Sequence, residues 1–154
     1  MNQIFQRISS VFFYTLPLNA SMPFGYYFFN NNKYDFLNVL IGSVTYPIEI
    51  IEKSLPFGSF LLFILLFAGV VKNPKIPYFV RYNACQAILI NIALIIITYL
   101  ISILSIFEVD SIISILFSVI FIFILCIFVY SISQCIYGLE PEIPFISKSV
   151  RMQI

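Results

Sequence analysis

The sequence predicts an all-α polytopic membrane protein: a bundle of four transmembrane helices, the first span broken, with an interfacial helix between spans one and two. Three observations lead there. Hydrophobic residues make up 61% of the chain and charged residues 10%, against about 25% charged in a soluble domain. A globule of 154 residues cannot hide that much apolar surface from water. Long apolar runs alternate with short polar turns marked by proline or glycine. Lysine and arginine are shared unevenly among those turns. A single integral domain, 1–154, follows, because the spans must pack on each other.

The first span is expected at 8–29. Pro17, Asn19, Pro23 and Gly25 interrupt it, and each proline removes a helical hydrogen bond, so a bent or broken helix is predicted. Residues 8–18, followed by Asn19, Ala20 and Ser21, imitate a signal-peptide core, but the flanks are weak and apolar character resumes at once. Tyr26 and Tyr27 suit a membrane interface, and Asn30 to Asp35 form a polar exit. Residues 36–51 are apolar but carry Asn38, Gly42, Pro47 and Glu49, which fits an interfacial or re-entrant helix better than a crossing. Glu52, Lys53 and Ser54 mark the surface again.

Span two, 55–71, is near the minimum length for a crossing. It ends at the basic turn Lys72, Asn73, Pro74, Lys75. Span three, 78–107, is longer than the hydrocarbon core requires and should tilt or protrude. Glu108, Val109 and Asp110 make an acidic turn before span four, 111–137, where Ser111, Ser114 and Ser118 share a face suited to close packing. Gly138 is a natural helix stop. In the polar tail 138–154, Pro141 and Pro144 argue against a helix in the first half.

With four crossings, one side of the membrane holds Arg7, Lys72, Lys75, Arg81, Lys148 and Arg151, and the other only Lys33 and Lys53 among mostly acidic residues. Both termini are then expected on the cytoplasmic or equivalent side.

The composition also excludes chemistry. The formal charge is +1, so no nucleic-acid partner is expected. Histidine is absent, and the three cysteines, Cys85, Cys126 and Cys135, form no metal-ligand or CxxC pattern. The carboxylates fall in expected loops, at Asp35, Glu49, Glu52, Glu108, Asp110, Glu140 and Glu142. Without a mid-span acid, a histidine or a glycine-rich phosphate loop, no catalytic site, cofactor or metal is predicted.

What remains is polar surface inside span three. At about 3.6 residues per turn, Asn83, Gln86 and Asn91 fall on neighbouring azimuths, with Ala87, Leu94, Thr98 and Ser105 in or near that arc. Such a face turns toward helices or water rather than lipid. Arg81, Asn83, Gln86 and Asn91 are therefore a candidate hydrophilic vestibule; the competing reading has Arg81 snorkelling while the amides join helices. Glu140, Glu142 and Arg151 are candidate tail contacts, with the two acids either near Arg81 and Lys75 or in a solvated charge cluster.

Two stretches carry a resemblance. The run Lys72 to Leu89, with Arg81, Tyr82, Asn83, Gln86 and Ala87, and the tail Pro141 to Ile154 are similar to the twenty-kilodalton Tic subunit family of the translocon at the inner envelope membrane of chloroplasts, in its plastid-encoded algal or cyanobacterial form. Leu16-Pro17-Leu18 and Pro23-Phe24-Gly25 resemble that family's first span. Asn91 and Lys148 depart from it, since acidic residues are usual there. The resemblance implies a four-helix protein with both termini in the stroma, or in the cytoplasm for a cyanobacterial protein. It implies a non-enzymatic role, core or channel-forming, in preprotein import. Its implied partners are other translocon subunits, transiting preproteins and the bilayer, in a homo- or hetero-oligomer. The lack of a Ser/Arg-rich, acid-poor N-terminal stretch suits a plastid gene product. A small-solute or ion transporter of the same membrane and a passive assembly scaffold are the alternatives.

Overall fold

The computed structural model describes residues 2–32, 35–104 and 110–154. Among them every regular element is a helix: α1 (Gln3–Phe13), α2 (Thr15–Asn32), α3 (Asp35–Ser54), α4 (Gly58–Leu66) continuing into a π-helical turn (Phe67–Val71), α5 (Tyr78–Leu104), α6 (Asp110–Tyr137) and α7 (Ile146–Gln153). Lys33, Tyr34, Ser105, Glu108 and Val109, which carried the expected polar exit, one end of the polar arc and most of the acidic turn, lie outside the described residues.

Two helices, within α5 and α6, are long and apolar enough to cross a membrane. A third candidate arises only if α3 and the α4–π segment are taken together, and these meet at a bend of 107°. The stretch expected as the second span, 55–71, holds α4 and the π turn, the shorter arm of this bent pair. The reason lies at the corner. Phe57 adopts a left-handed conformation with φ of 57°, and a Cβ on Gly58 would stand 2.0 Å from the Glu52 carbonyl oxygen. Only glycine lets the chain fold back so tightly on the end of α3.

The first apolar region breaks at a different place from the one its prolines suggest. The interruption is at Tyr14, where α1 ends in a tightened turn with the Tyr14 N–H on the Val11 carbonyl at 3.2 Å. Pro17 falls in the first turn of α2, where its missing N–H has no helical partner to lose, and α2 runs on through Pro23.

α2 packs on α6 through aromatic rings. Phe121, fully buried, sits against Gly25, and the rings of Phe24 and Phe117 meet edge to face at 5.1 Å. α5 is the central helix. Residues 82–88 are buried on every side, enclosed by α1, the π turn and α7, while its second half exposes Ile95, Ile96, Tyr99 and Leu100. The one-sided division expected along α5 is therefore absent from its first half, and in the second half Leu94 and Ile101 are buried while Thr98, expected on the inward arc, is exposed.

α6 ends in a Schellman motif. The Gly138 N–H bonds the Cys135 carbonyl at 3.0 Å and the Leu139 N–H bonds the Gln134 carbonyl at 2.9 Å, with Gly138 at φ +77°. Arg7 donates to the Ile136 carbonyl at 2.9 Å, and its guanidinium lies 2.8 Å from where a Gly138 Cβ would stand. Gly138→Ala is expected to destabilise the protein by about 1–3 kcal/mol, read as a lower midpoint of denaturant unfolding in micelles; an unchanged midpoint would contradict this turn.

Candidate functional site

The four polar residues predicted on α5 separate into two environments. Asn83 and Gln86, both 0% exposed, belong to a closed network. The Tyr14 hydroxyl, at the junction of α1 and α2, points its proton between Asn83 Oδ1 at 2.9 Å and Gln86 Oε1 at 2.6 Å. Asn83 Nδ2 donates back to the Phe79 carbonyl at 2.7 Å, and the Cys135 thiol approaches Asn83 Oδ1 at 3.3 Å. Gln86 Nε2 donates to the Pro141 carbonyl at 3.2 Å and to Ser147 Oγ at 3.0 Å. The Tyr82 hydroxyl donates to the same Pro141 carbonyl at 3.1 Å, and Ser147 Oγ accepts the Ile143 N–H at 2.7 Å.

This knot explains why the tail folds as it does. Pro141 and Pro144 keep residues 139–145 out of a helix, as expected, and so leave the Pro141 carbonyl free to accept from α5. Beyond Phe145, at φ 67°, α7 forms and lies along α5. Its last carbonyls would be orphans. Lys72 Nζ takes the Gln153 oxygen at 2.7 Å, and Arg81 Nη2 takes the Ile154 oxygen at 3.2 Å. Arg81 Nε also holds the Val71 carbonyl at 2.7 Å, beside the π turn. Positive charge at a helix C-terminus is favourable.

Arg81 therefore clamps the tail and the π turn instead of meeting the tail acids. Glu140 and Glu142 pair with Arg151, at 3.6 and 2.9 Å, not with Arg81 or Lys75. The Glu142 hydrogen bond holds the Arg151 guanidinium above its ordinary pKa. These pairs are largely exposed and screened by solvent, so the tail is held mainly by the buried amides.

Asn91 lies elsewhere. It is the middle residue of α5, with about 20 Å of helix on either side at 1.5 Å per residue. It opens on a cavity of about 400 Å³ between α2, α3, α4 and α5, which Asn19, Thr45, Glu49, Glu52 and Lys53 also line. Glu52 accepts from Asn19 Nδ2 at 2.9 Å, and Glu49 pairs with Lys53 one turn away. This corrects the reading of those carboxylates as loop groups; the surface reading holds for Lys53, which is exposed, and for Glu49, which is partly so. Both carboxylates stand on α3, and with Asn91 of α5 they line this one cavity. The sequence carried no signal for it, because an acid beside a lysine reads as a solvated turn. Tyr14, Pro141 and Ser147 were likewise not recognisable as partners of α5, since their contacts span 55 to 72 residues of chain. Among the described residues, no group of three or more Cys, Asp or Glu side chains is placed to hold a metal.

With this geometry in view, comparison with known proteins is informative. The family described as chloroplast import apparatus Tic20-like matches residues 2–150. The chain belongs to the Tic20-like family. It is 32% identical over 151 residues to the chloroplastic protein TIC 20-v of Arabidopsis thaliana, covering 96% of this chain and 70% of that protein. It is also 32% identical over 152 residues to a Tic20 family protein of Synechocystis, covering 96% of this chain and 92% of the relative. The chloroplastic protein TIC 20-II of Arabidopsis thaliana is 29% identical over 158 residues, covering 97% and 72%. For this Tic20-like chain, the match takes in both the α5 network and the tail up to Val150.

Proposed function

We propose that this chain is a non-enzymatic, channel-forming component of a preprotein translocon in the plastid inner envelope membrane, or in the cytoplasmic membrane if its source is cyanobacterial. The observation that carries the reading is the family match along residues 2–150, with two relatives named as chloroplastic. The geometry supports it in one respect. Asn91, the middle residue of α5, lines a cavity with other polar side chains, and an unfolded chain in transit needs such groups, because lipid satisfies none of its backbone polar atoms.

The proposed topology has four crossings. The α1–α2 pair makes the first, broken at Tyr14, and the bent α3–α4 pair makes the second; α5 and α6 complete it. Both termini then lie in the stroma, by the lysine and arginine distribution. Because Arg81, Asn83 and Gln86 are occupied by the chain's own groups, we place the water-accessible part of the path at Asn91 and its cavity. Four helices enclose little lumen, so the working unit is a homo- or hetero-oligomer with other translocon subunits.

A photoreactive residue at position 91 is expected to crosslink an arrested preprotein, while one at Leu100, exposed on the second half of α5, is expected to label lipid. Crosslinks at 100 but not at 91 would refute the assignment of the path. The same cavity favours a second reading, transport of a small solute; selective flux of a small ligand through liposomes holding the protein alone would support that one instead.

A further inference from the structure

We propose that the groove between the end of α6 and the C-terminal tail holds a membrane lipid with an anionic phosphate headgroup, one acyl chain lying against α6 and the headgroup at Lys148. The proposal rests on α6 crossing a bilayer and is independent of any role in import.

Two hollows meet along one rim. The first, of about 540 Å³, is lined by Phe123, Cys126, Ile127 and Tyr130 of α6 and by residues 142–146. Those four positions follow the spacing of a single helix face. They lie from about 21 Å to about 10 Å inside the α6 end at Tyr137, at 1.5 Å per residue. The hollow is thus at the depth of hydrocarbon, on a helix apolar enough to span a membrane. Apart from Glu142 and the Tyr130 hydroxyl, which accepts the Glu142 N–H at 3.3 Å, its side chains are hydrocarbon, aromatic rings and one thiol. The second hollow, of about 510 Å³, shares residues 142–145 with the first and adds Ser147, Lys148, Arg151 and Met152 of α7. Phe145 stands on the common rim, 93% exposed and held at φ 67°, a left-handed conformation that aromatic residues rarely take. In water so exposed a ring would add to the cost of the strain; among acyl chains its burial offsets it.

Charge selects the headgroup. Arg151 is occupied by Glu140 and Glu142. Lys148 is exposed and makes no ion pair among the described residues, so the second hollow keeps one positive charge without a carboxylate. The end of the bundle around it is basic as well. Arg7 bonds the last turn of α6, and Lys72 and Arg81 hold the end of α7, so these cations gather with Lys148 and Arg151 against Glu140 and Glu142. A positive field at a membrane surface draws anionic headgroups. A zwitterionic lipid would bring its own cation beside Lys148, and a free phosphate would leave the apolar hollow unfilled; a phospholipid of net negative charge suits both hollows.

The chain contains no tryptophan, so one can be placed as a reporter. Full-length Phe123→Trp is reconstituted in nanodiscs of phosphatidylcholine with a minor fraction of phosphatidylglycerol, one of the two lipids brominated on its acyl chains so that it quenches a tryptophan it touches. Cys126→Trp, on the same face, serves if Phe123→Trp folds poorly. Ile122→Trp, exposed on α6 but outside the hollow, is the control. At position 123 phosphatidylglycerol is expected to be enriched about threefold over its bulk share, as one partly screened ion pair allows. At position 122 the two lipids should quench in proportion to their abundance. Lys148→Glu should remove the enrichment and Lys148→Arg should keep it; the position is exposed and outside the buried network. Equal enrichment at 122 and 123 would reduce the effect to a general surface field. Quenching at 123 in proportion to abundance would leave a groove without headgroup choice. Enrichment that survives Lys148→Glu would remove the headgroup from α7. Each of these results overturns the proposal, as does a tryptophan at 123 that neither lipid quenches.

Discussion

Gln86→Ala is expected to lower stability by about 3–5 kcal/mol, the sum of a core cavity and stranded polar groups. The side chain is fully buried at the point where three segments distant in sequence converge. Its loss removes the acceptor 2.6 Å from the Tyr14 hydroxyl and the donor to Pro141 and Ser147. The effect should be local as well as global. Freed of Gln86, residues 139–145 lose their buried amide donor and keep the hydroxyl contacts of Tyr82, Tyr130 and Ser147, the turn bond of Leu139 and the exposed ion pairs of Arg151. Limited proteolysis should then cut that stretch before the bundle opens. Gln86→Met, which keeps volume but not hydrogen bonding, separates the two contributions. Tyr14→Phe combined with Gln86→Met should cost less than the two single changes added, because both delete the same bond. A Gln86→Ala protein within about 1 kcal/mol of the parent, below the ordinary cost of stranding one buried polar group, would show that the network is not formed.

Gly58→Ala is expected to be the most disruptive single methyl in the chain. A Cβ 2.0 Å from the Glu52 carbonyl oxygen meets backbone, not a side chain able to swing aside. The corner between α3 and α4 must open, at a cost of about 3 kcal/mol or more. Opening it pulls Glu52 away from Asn19 Nδ2, so the end of α3 should lose its hold on α2 together with stability. Gly42→Ala, on α3, is the control: beyond its own turn of helix, nothing lies within 4 Å of its Cβ position. If Gly58→Ala unfolds no more easily than Gly42→Ala, the 107° bend is not a fixed feature of the protein.

Much of the local structure is legible in the order of residues. α5 begins at Tyr78, immediately after the proline-containing turn, and α6 stops at Gly138, because those signals act within one or two turns of the chain. The short tail helix starts only after the second tail proline, for the same local reason. The resemblance carried by the α5 and tail motifs agrees with the family match over residues 2–150.

Other features are decided by partners far along the chain. The prolines of the first region looked like the break, yet Pro17 sits where its lost hydrogen bond does not matter, and the interruption falls at Tyr14, whose hydroxyl is drawn to two amides on α5. Asn83, Gln86 and Asn91 share an arc, and nothing in their spacing says that the first two would be sealed by the tail while the third opens on a cavity with two acids.

By itself the sequence determined that this is a helical, strongly apolar chain of the Tic20-like family, where α5 begins and α6 ends, and that one helix carries amides that lipid will not accept. Composition and local turn chemistry suffice for that, since each acts over a few residues. Only the tertiary structure decided that Asn83 and Gln86 are closed off by the tail while Asn91 lines a cavity, and that Glu52 of α3 lines the same cavity. A left-handed residue and a glycine turn the chain through 107° there, and where a folded-back segment comes to rest depends on every surface it meets, not on its own pattern.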